Sequence, residues 1–466
     1  MSCINLKRLT FMFVIACVVW CSSIGTCIAR KGNYQKGRSK WNPPHKTTPK
    51  PKAPTHSIPP PFHQPKVFDA FQDAWSDACK VEGSTVLVPS KFTFLVGLVS
   101  FSGANCQPNI VFQGKTFEVD GIIIAPTYFQ CWGNGSLPWL EFTYLRGGVT
   151  VQGRGILDGR GSRWWKDDGK EPKIPLNTLF QQISPIQDRN EFGGNMPRKK
   201  PIALRLNAST NVAVKGITIR NSPQFHLKFN HCKRVVVHDM TADSLGDSPN
   251  TNGIHLHNCQ DVLIHYSNLS CEATSYFLSF ICSLHQQNVS IFNVSCGPGH
   301  GIDIGGLGRN YICKARVSNI TIRDIVMHNT TNGGRSSVQG VVFSNIQVFE
   351  VVRPIVINKF YCGEKHKTEC RNQTTAVALS GITFEKIRGT YKDKAMDIGC
   401  SNNVPCRGIT LSAIELTPVP NERTRTDDTF YWQAFVEFTA PTVPPIGCLK
   451  TDKPLNNRAQ SNRDMC

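Results

Sequence analysis

From residue 202 onward the chain keeps returning to one phrase of alternating β-branched residues: "TNVAVKGITIRNS", "CKRVVVHDMTADS", "CQDVLIHYSNLSC", "QNVSIFNVSC", "VSNITIRDIVMHN", "FSNIQVFEVV", "LSGITFEKIRGT" and "CRGITLSAIELT". Aligned on Val212, Val236, Val262, Val289, Ile320, Ile346, Ile382 and Ile409, the copies recur at steps of roughly 24 to 36 residues, a period that marks a solenoid. Each copy alternates with period two and then meets Asn, Gly or Ser, which reads as short strands and tight turns without helices between them. Parallel strands stacked coil on coil satisfy this pattern, because each coil buries its apolar face against the next. A β-sandwich also supplies many short strands, but gives them no reason to resemble one another at this period.

One segment has a different period. "FDAFQDAWSDACKVEG" places Phe71, Ala74, Trp75 and Ala78 on one face of a helix. A short helix there is expected to cap the open apolar end of the stack.

The 466-residue chain divides into four expected parts. Residues 1–29 put Lys7 and Arg8 ahead of an apolar run from Leu9 to Trp20 and end in small residues, the order of a secretory signal peptide. A signal anchor is the alternative, but the run is shorter than the ~18 residues that a membrane span needs. Residues 30–66 are rich in Pro and Lys and contain no acidic residue, so they cannot form a core and read as a disordered, extended basic tail. Residues 67–450 are the solenoid and 451–466 a C-terminal tail.

Export fits other features. Asn-x-Ser/Thr sequons stand at Asn134, Asn207, Asn268, Asn288, Asn293, Asn319, Asn329 and Asn372, so a glycoprotein is expected. The 19 cysteines fit disulfides in an oxidising compartment, with Cys79–Cys106, Cys362–Cys370, Cys400–Cys406 and Cys448–Cys466 as candidate pairs. A formal charge of +19 reads either as solubility alone or as a match to an anionic partner. In an exported chain an acidic polysaccharide or wall surface is the better candidate than nucleic acid.

Four stretches, "VTVQGRGILDGRGSRWW", "NSPQFHLKFNHCKRV", "GDSPNTNGIHLHN" and "CGPGHGIDIGGLG", occur in this order, with "SVQGVVFSNIQV" and "VVRPIVINKFYC" after them. Together they resemble the plant polygalacturonases of glycoside hydrolase family 28 over roughly residues 67–450. The resemblance implies an all-β fold, a right-handed parallel β-helix. It also implies a secreted, monomeric cell-wall glycosidase that hydrolyses α-1,4 bonds between galacturonate units of pectin by inversion, with no metal or cofactor. Its expected partner is polygalacturonate, with no nucleic acid and no stable membrane insertion. A pectate lyase, the other β-helix enzyme weighed, needs clustered acidic ligands for calcium, and the sequence offers none.

An inverting site needs a carboxylic acid to protonate the leaving oxygen and a carboxylate to activate water on the opposite face of the sugar. The family's residues carry over incompletely. Of its Asn-Thr-Asp motif, Asn250 and Thr251 match, Asn250 as a substrate-binding candidate, but the aspartate position is Asn252. An amide donates and accepts hydrogen bonds but cannot shuttle a proton at neutral pH. The Gly-Asp-Asp motif is absent; Glu272 is the acidic residue in the stretch that replaces it. "GPGHGIDIGG" is intact and supplies His300, the remaining catalytic candidate. Strict strand alternation points Asp303 away from the face of His300, which makes it a weak substitute acid. The Arg-Ile-Lys segment is missing as well, and Arg335, just after the gap, is the candidate substrate-binding cation.

Against the family pattern two further joins are disturbed: a first strand is missing between Asp69 and Ala70, and extra residues lie around Gly114 to Val119. Faults at joints between well-matched segments suggest misread exon boundaries or a decaying gene copy. Asn252 lies between intact neighbours and reads as a true substitution. The expectation is therefore a polygalacturonase-like chain of weak or no activity, with a catalytically inactive pectin-binding protein or the product of a mispredicted or decayed gene as the alternatives.

Overall fold

Val149, Val212, Val235, Val262, Val289, Ile320, Val341, Ile382, Ile409 and Val436 stand directly above one another, each paired with the next across parallel strands. The first nine are buried, at 4% exposure or less. This column is the spine of the expected right-handed parallel β-helix. The computed structural model describes residues 12–14, 66–106, 115–127, 129–132, 138–166, 200–244, 248, 251–271, 285–299, 301–304, 316–330, 339–359, 378–401, 404–420, 429–439 and 442–445.

The residue just before each column member explains why the coils turn in step. Asn211, Arg234, Asp261, Asn288 and Asn319 have φ between 54° and 57°, and Gly340, Gly381 and Gly408 continue the row at 62° to 68°. Asn, Asp and Gly tolerate this left-handed conformation at least cost. The amides also bond along the axis: Asn319 Nδ2 donates to Asn288 Oδ1 at 2.7 Å, and Asn288 Nδ2 to Asp261 Oδ1 at 2.8 Å. Five residues later a second positive-φ row, including Gly216, Asp239, Asn293, Asp324 and Asn345, bends each coil again.

The stack corrects the sequence alignment at two points. The spine passes through Val235 and Val341, whereas Val236 stacks on Ala213 and Leu263, and Ile346 on Ile325 and Ile387. Coil length varies, and a shift of one residue moves a strand's side chains to the other face. Of the segment suspected of carrying extra residues, Gly114 lies outside the described residues, and Lys115–Val119 is a regular strand with Thr116 opposite Thr85 on one side and Thr150 on the other.

The helix Lys66–Ala78 caps the stack as expected. Phe71, Ala74, Trp75 and Ala78 are buried, and Trp75 packs on Phe101 and Phe142 with ring centroids 5.3 and 5.5 Å away. Trp75 Nε1 donates to Ser102 O at 3.0 Å and Gln72 Nε2 to Ser100 O at 2.9 Å, which uses two carbonyls at the end of the coil. On the same end Met12–Val14, within the segment read as a signal peptide, pairs with the edge strand Thr85–Val88. An open edge accepts any extended segment.

Cys79–Cys106 and Cys400–Cys406 are disulfides. The candidate pairs Cys362–Cys370 and Cys448–Cys466 lie outside the described residues. Cys232, Cys259, Cys271 and Cys296 are free thiols and all are buried. Among the described residues no helix is long and apolar enough to cross a membrane.

One wall of the helix matters most for function. Val99–Ser102, Leu140–Thr143, Leu204–Asn207, Leu227–Asn230 and Ile254–His257 form a five-stranded parallel sheet. Ile355–Asn358, Met396–Gly399 and Thr429–Trp432 form a separate three-stranded sheet. Between them the long sheet runs without a break through Gln260–Cys271, His285–Gly299, Arg316–His328 and Gln339–Val351. No wall strand is described in the coils between His257 and Ile355.

Candidate active site

Asn252 lies two residues ahead of Ile254–His257, the last strand of the five-stranded wall. The preceding turn is pinned by Thr251, whose Oγ1 donates to Ser248 O at 2.9 Å; both side chains are buried. The next contact comes from the coil before. His226 is fully buried, its backbone N–H donates to Asn252 O at 2.9 Å, and its ring Nδ1 lies 3.0 Å from the same oxygen. On the far side Nε2 is 2.9 Å from Ser244 Oγ and 3.0 Å from Asp243 O.

These contacts surround both ring nitrogens with polar atoms. Burial pushes His226 down to about 4, against the two backbone hydrogen bonds that favour its cation, so the ring is neutral at physiological pH. A neutral imidazole has one N–H. Each ring nitrogen faces a carbonyl that also accepts a backbone N–H, Asn252 O for Nδ1 and Asp243 O for Nε2, and Cys271 Sγ lies 3.5 Å from Nδ1, so either tautomer finds partners here. His226 thus holds the turn that presents Asn252.

The outward-facing side chains of the wall form two rows. Along the first, Glu141, Arg205, Lys228 and His255 are successive register partners. Ser100 Oγ donates to Glu141 at 3.2 Å, and Arg205 grips the same carboxylate at 2.6 Å. Lys228 Nζ sits 5.2 Å over the Phe225 ring, and His255 stacks on that ring with centroids 4.4 Å apart. Along the second row, Asn230 Nδ2 donates to Asn207 Oδ1 at 2.7 Å and Asn207 Nδ2 to Thr143 Oγ1 at 3.1 Å. His257 ends this row, edge-on to His231 at 5.5 Å.

The charges do not balance along the wall. Arg205 and Glu141 neutralise each other. Desolvation, and then the nearby Arg205, lower Lys228 to about 8, so it still carries its proton at neutral pH. Desolvation, Lys228 and His231 lower His257 to about 4, so that ring is neutral. Asp243, whose backbone oxygen meets His226, has its carboxyl raised by burial and by Asp158 against the pull of Arg220.

Of the residues expected to form the site, the structure places Asn252, half-buried, on this turn and Asp303, half-buried, beside the buried Ile304. Asn250, His300, Arg335 and Glu272 lie outside the described residues. Sequence reasoning did not single out His226 or Lys228, although both lie in the quoted stretch "NSPQFHLKFNHCKRV". Their separation of about one coil from Asn252 was the available signal.

Solved structures share this architecture. The Erwinia carotovora polygalacturonase superposes with a TM-score of 0.60 at 20% identity, covering 80% of this chain and 94% of that one. The Thermotoga maritima exopolygalacturonase superposes with a TM-score of 0.59 at 17% identity, covering 80% and 86%. Similarity is closer among plant sequences. A polygalacturonase of Cryptomeria japonica is 32% identical over 357 residues, which is 75% of this chain and 63% of that protein's length. A probable polygalacturonase of Arabidopsis thaliana is 31% identical over 394 residues, 82% of this chain and 80% of the relative. The sequence profile of the glycosyl hydrolases family 28 matches residues 79–428, spanning the capping disulfide, the basic wall and the turn at Asn252. The repeated coil, the wall and these likenesses together place the chain in glycosyl hydrolase family 28.

Proposed function

We propose that this protein is an exported binder of polygalacturonate in which the hydrolysis of its polygalacturonase relatives is lost or severely reduced. The observation that carries this reading is Asn252. The turn presenting it is intact and hydrogen-bonded through His226, yet it offers an amide where the family's motif offers a carboxylic acid. Inverting hydrolysis needs two carboxyl groups roughly 6.5–9.5 Å apart across the sugar, and the sequence supplies neither this aspartate nor the family's Asp-Asp pair. Glu141 is no substitute, because it is buried in an ion pair with Arg205.

Binding has better support. The wall carries the cation Lys228 beside the turn, and the whole chain carries +19. The apolar run with its basic start, the sequons and the wall-directed family all favour an extracellular destination at the plant cell wall, with pectin as the partner.

The test combines retention on immobilised polygalacturonate with an assay for new reducing ends. Retention that disappears as salt shortens the Debye length from about 10 Å at 0.1 M to about 3 Å at 1 M, together with no release of reducing ends, supports the reading. Salt-insensitive retention refutes the electrostatic binding, and steady release of reducing ends refutes the loss of hydrolysis.

A further inference from the structure

We infer that Lys228 is a carboxylate-recognition residue of the cleft, binding the uronate group of a sugar seated beside Asn252. This rests on the reading that the wall binds polygalacturonate and names the atom that reads the polymer's charge.

The placement follows from the coil. His226 donates its backbone N–H to Asn252 O at 2.9 Å and Leu227 donates to Gly253 O at 3.0 Å, so Lys228 lies one strand away from the turn and two residues along. In register it faces His255 on one side and Arg205 on the other, all on the outward row. Its stem lies against the wall and its ammonium stands 5.2 Å over Phe225, whose ring is 4% exposed and locked against His255. That ring fixes the height of the ammonium at the wall's surface.

The charge is the second observation. Every other charged group along the row is accounted for: Arg205 is satisfied by Glu141, and Glu141 is further bonded by Ser100. Among the described residues no carboxylate pairs with Lys228. A half-buried ammonium without a counter-ion is costly to hold, and the cost falls when an anion arrives. The contact to Phe225 is a weak compensation, worth much less than a charge-assisted hydrogen bond. A structural lysine in this fold is bonded instead: Lys359 Nζ donates to Val404 O at 2.7 Å, and Lys392 Nζ meets Glu350 at 3.0 Å. Lys228 is held like those residues in burial but lacks their partner. A single carboxylate reaching down from a bound chain completes it, and Arg205 behind it favours an anion there.

The neighbouring row supports a sugar rather than a free anion. Thr143, Asn207 and Asn230 form a hydrogen-bonded ladder ending at His257, a polar surface that lies alongside Lys228. A ring with hydroxyls on one edge and a carboxylate on another matches that pairing.

The test uses the full-length protein on polygalacturonate and on fully methyl-esterified pectin. Lys228→Gln removes the charge and keeps the polar head; Lys233→Gln removes a charge from the exposed start of the strand Lys233–His238 as a control. Circular dichroism and melting temperature establish that each variant folds. The expected result is polygalacturonate binding about tenfold weaker or more for Lys228→Gln, from the loss of one charge-assisted hydrogen bond. Lys233→Gln changes it little, Lys228→Arg retains it, and esterified pectin does not distinguish Lys228→Gln from wild type. Should wild type bind polygalacturonate and Lys228→Gln bind it equally well, this inference is overturned and the wider reading stands. Failure of wild type to bind polygalacturonate overturns both.

Discussion

The carbonyl oxygen of Asn252 accepts the backbone N–H of His226 at 2.9 Å, and ring Nδ1 of the same residue lies 3.0 Å from it. A buried neutral histidine therefore braces the turn that carries Asn252, one coil away in sequence. This makes stability at the site sensitive to acid.

Burial lowers His226 to about 4 from its ordinary 6.5. Between those values the unfolded chain binds the proton and the folded one does not, so stability falls as pH drops from 6.5 to 4. Above 6.5 the group contributes nothing to the pH dependence, and below 4 the loss is complete at roughly 3 kcal/mol. Half-buried His257 acts in the same direction but is partly screened by solvent. Asp243, whose carboxyl is raised, offsets part of the loss. Melting temperatures at pH 7 and 4.5 should therefore differ less in His226→Gln than in wild type; equal slopes count against the assignment.

Restoring the family's letter should not restore the reaction. Asn252→Asp supplies one carboxyl on a well-held turn, but the Asp-Asp pair and the Arg-Lys pair stay absent. Reducing-end release from polygalacturonate is expected to remain at background for both proteins. Activity appearing in Asn252→Asp alone would make Asn252 the principal defect.

The spine predicts the cost of a hole. Ile320 is 3% exposed and pairs with Val289 below and Val341 above. Ile320→Ala should cost about 3 kcal/mol, within the roughly 2–5 kcal/mol typical of large-to-small changes in cores. Urea titration reads this as a lower midpoint.

Loop length ranks the two disulfides. Cys79 and Cys106 are 27 residues apart, and Cys400 and Cys406 are 6 apart. Chain entropy gives about 3.5 kcal/mol for the longer loop and about 2.2 kcal/mol for the shorter. Replacing both cysteines of each pair by serine should lower the melting temperature more at Cys79–Cys106, which also ties the capping helix to the stack. The reverse order would point to native-state effects outweighing loop closure.

The sequons are not equivalent. Asn207 donates its amide to Thr143 and accepts from Asn230, while Asn293 is exposed at the second bend. A glycan on Asn207 Nδ2 would disrupt that ladder. Peptide mass mapping of protein secreted from plant cells should find glycan at Asn293 and an unmodified Asn207.

Much of this architecture could be read from the chain itself. Period-two alternation and the Asn, Asp and Gly residues at left-handed corners dictate a coil, because few other residues take positive φ cheaply and each coil needs its apolar face covered. The helical face of Phe71, Ala74, Trp75 and Ala78 likewise dictated a cap. The substitution at Asn252 and the lost motifs were visible as letters. Tertiary structure decided what stands beside what. Variable coil length put Val235 and Val341, not Val236 and Ile346, on the spine. Parallel stacking brought Arg205, Lys228, His226 and Asn252 onto one wall although they are spread over nearly fifty residues. Burial then set which of them carries charge, leaving His226 and His257 neutral and Lys228 cationic. Desolvation depends on the surrounding atoms, and those come from other coils, so no local stretch of sequence encodes it.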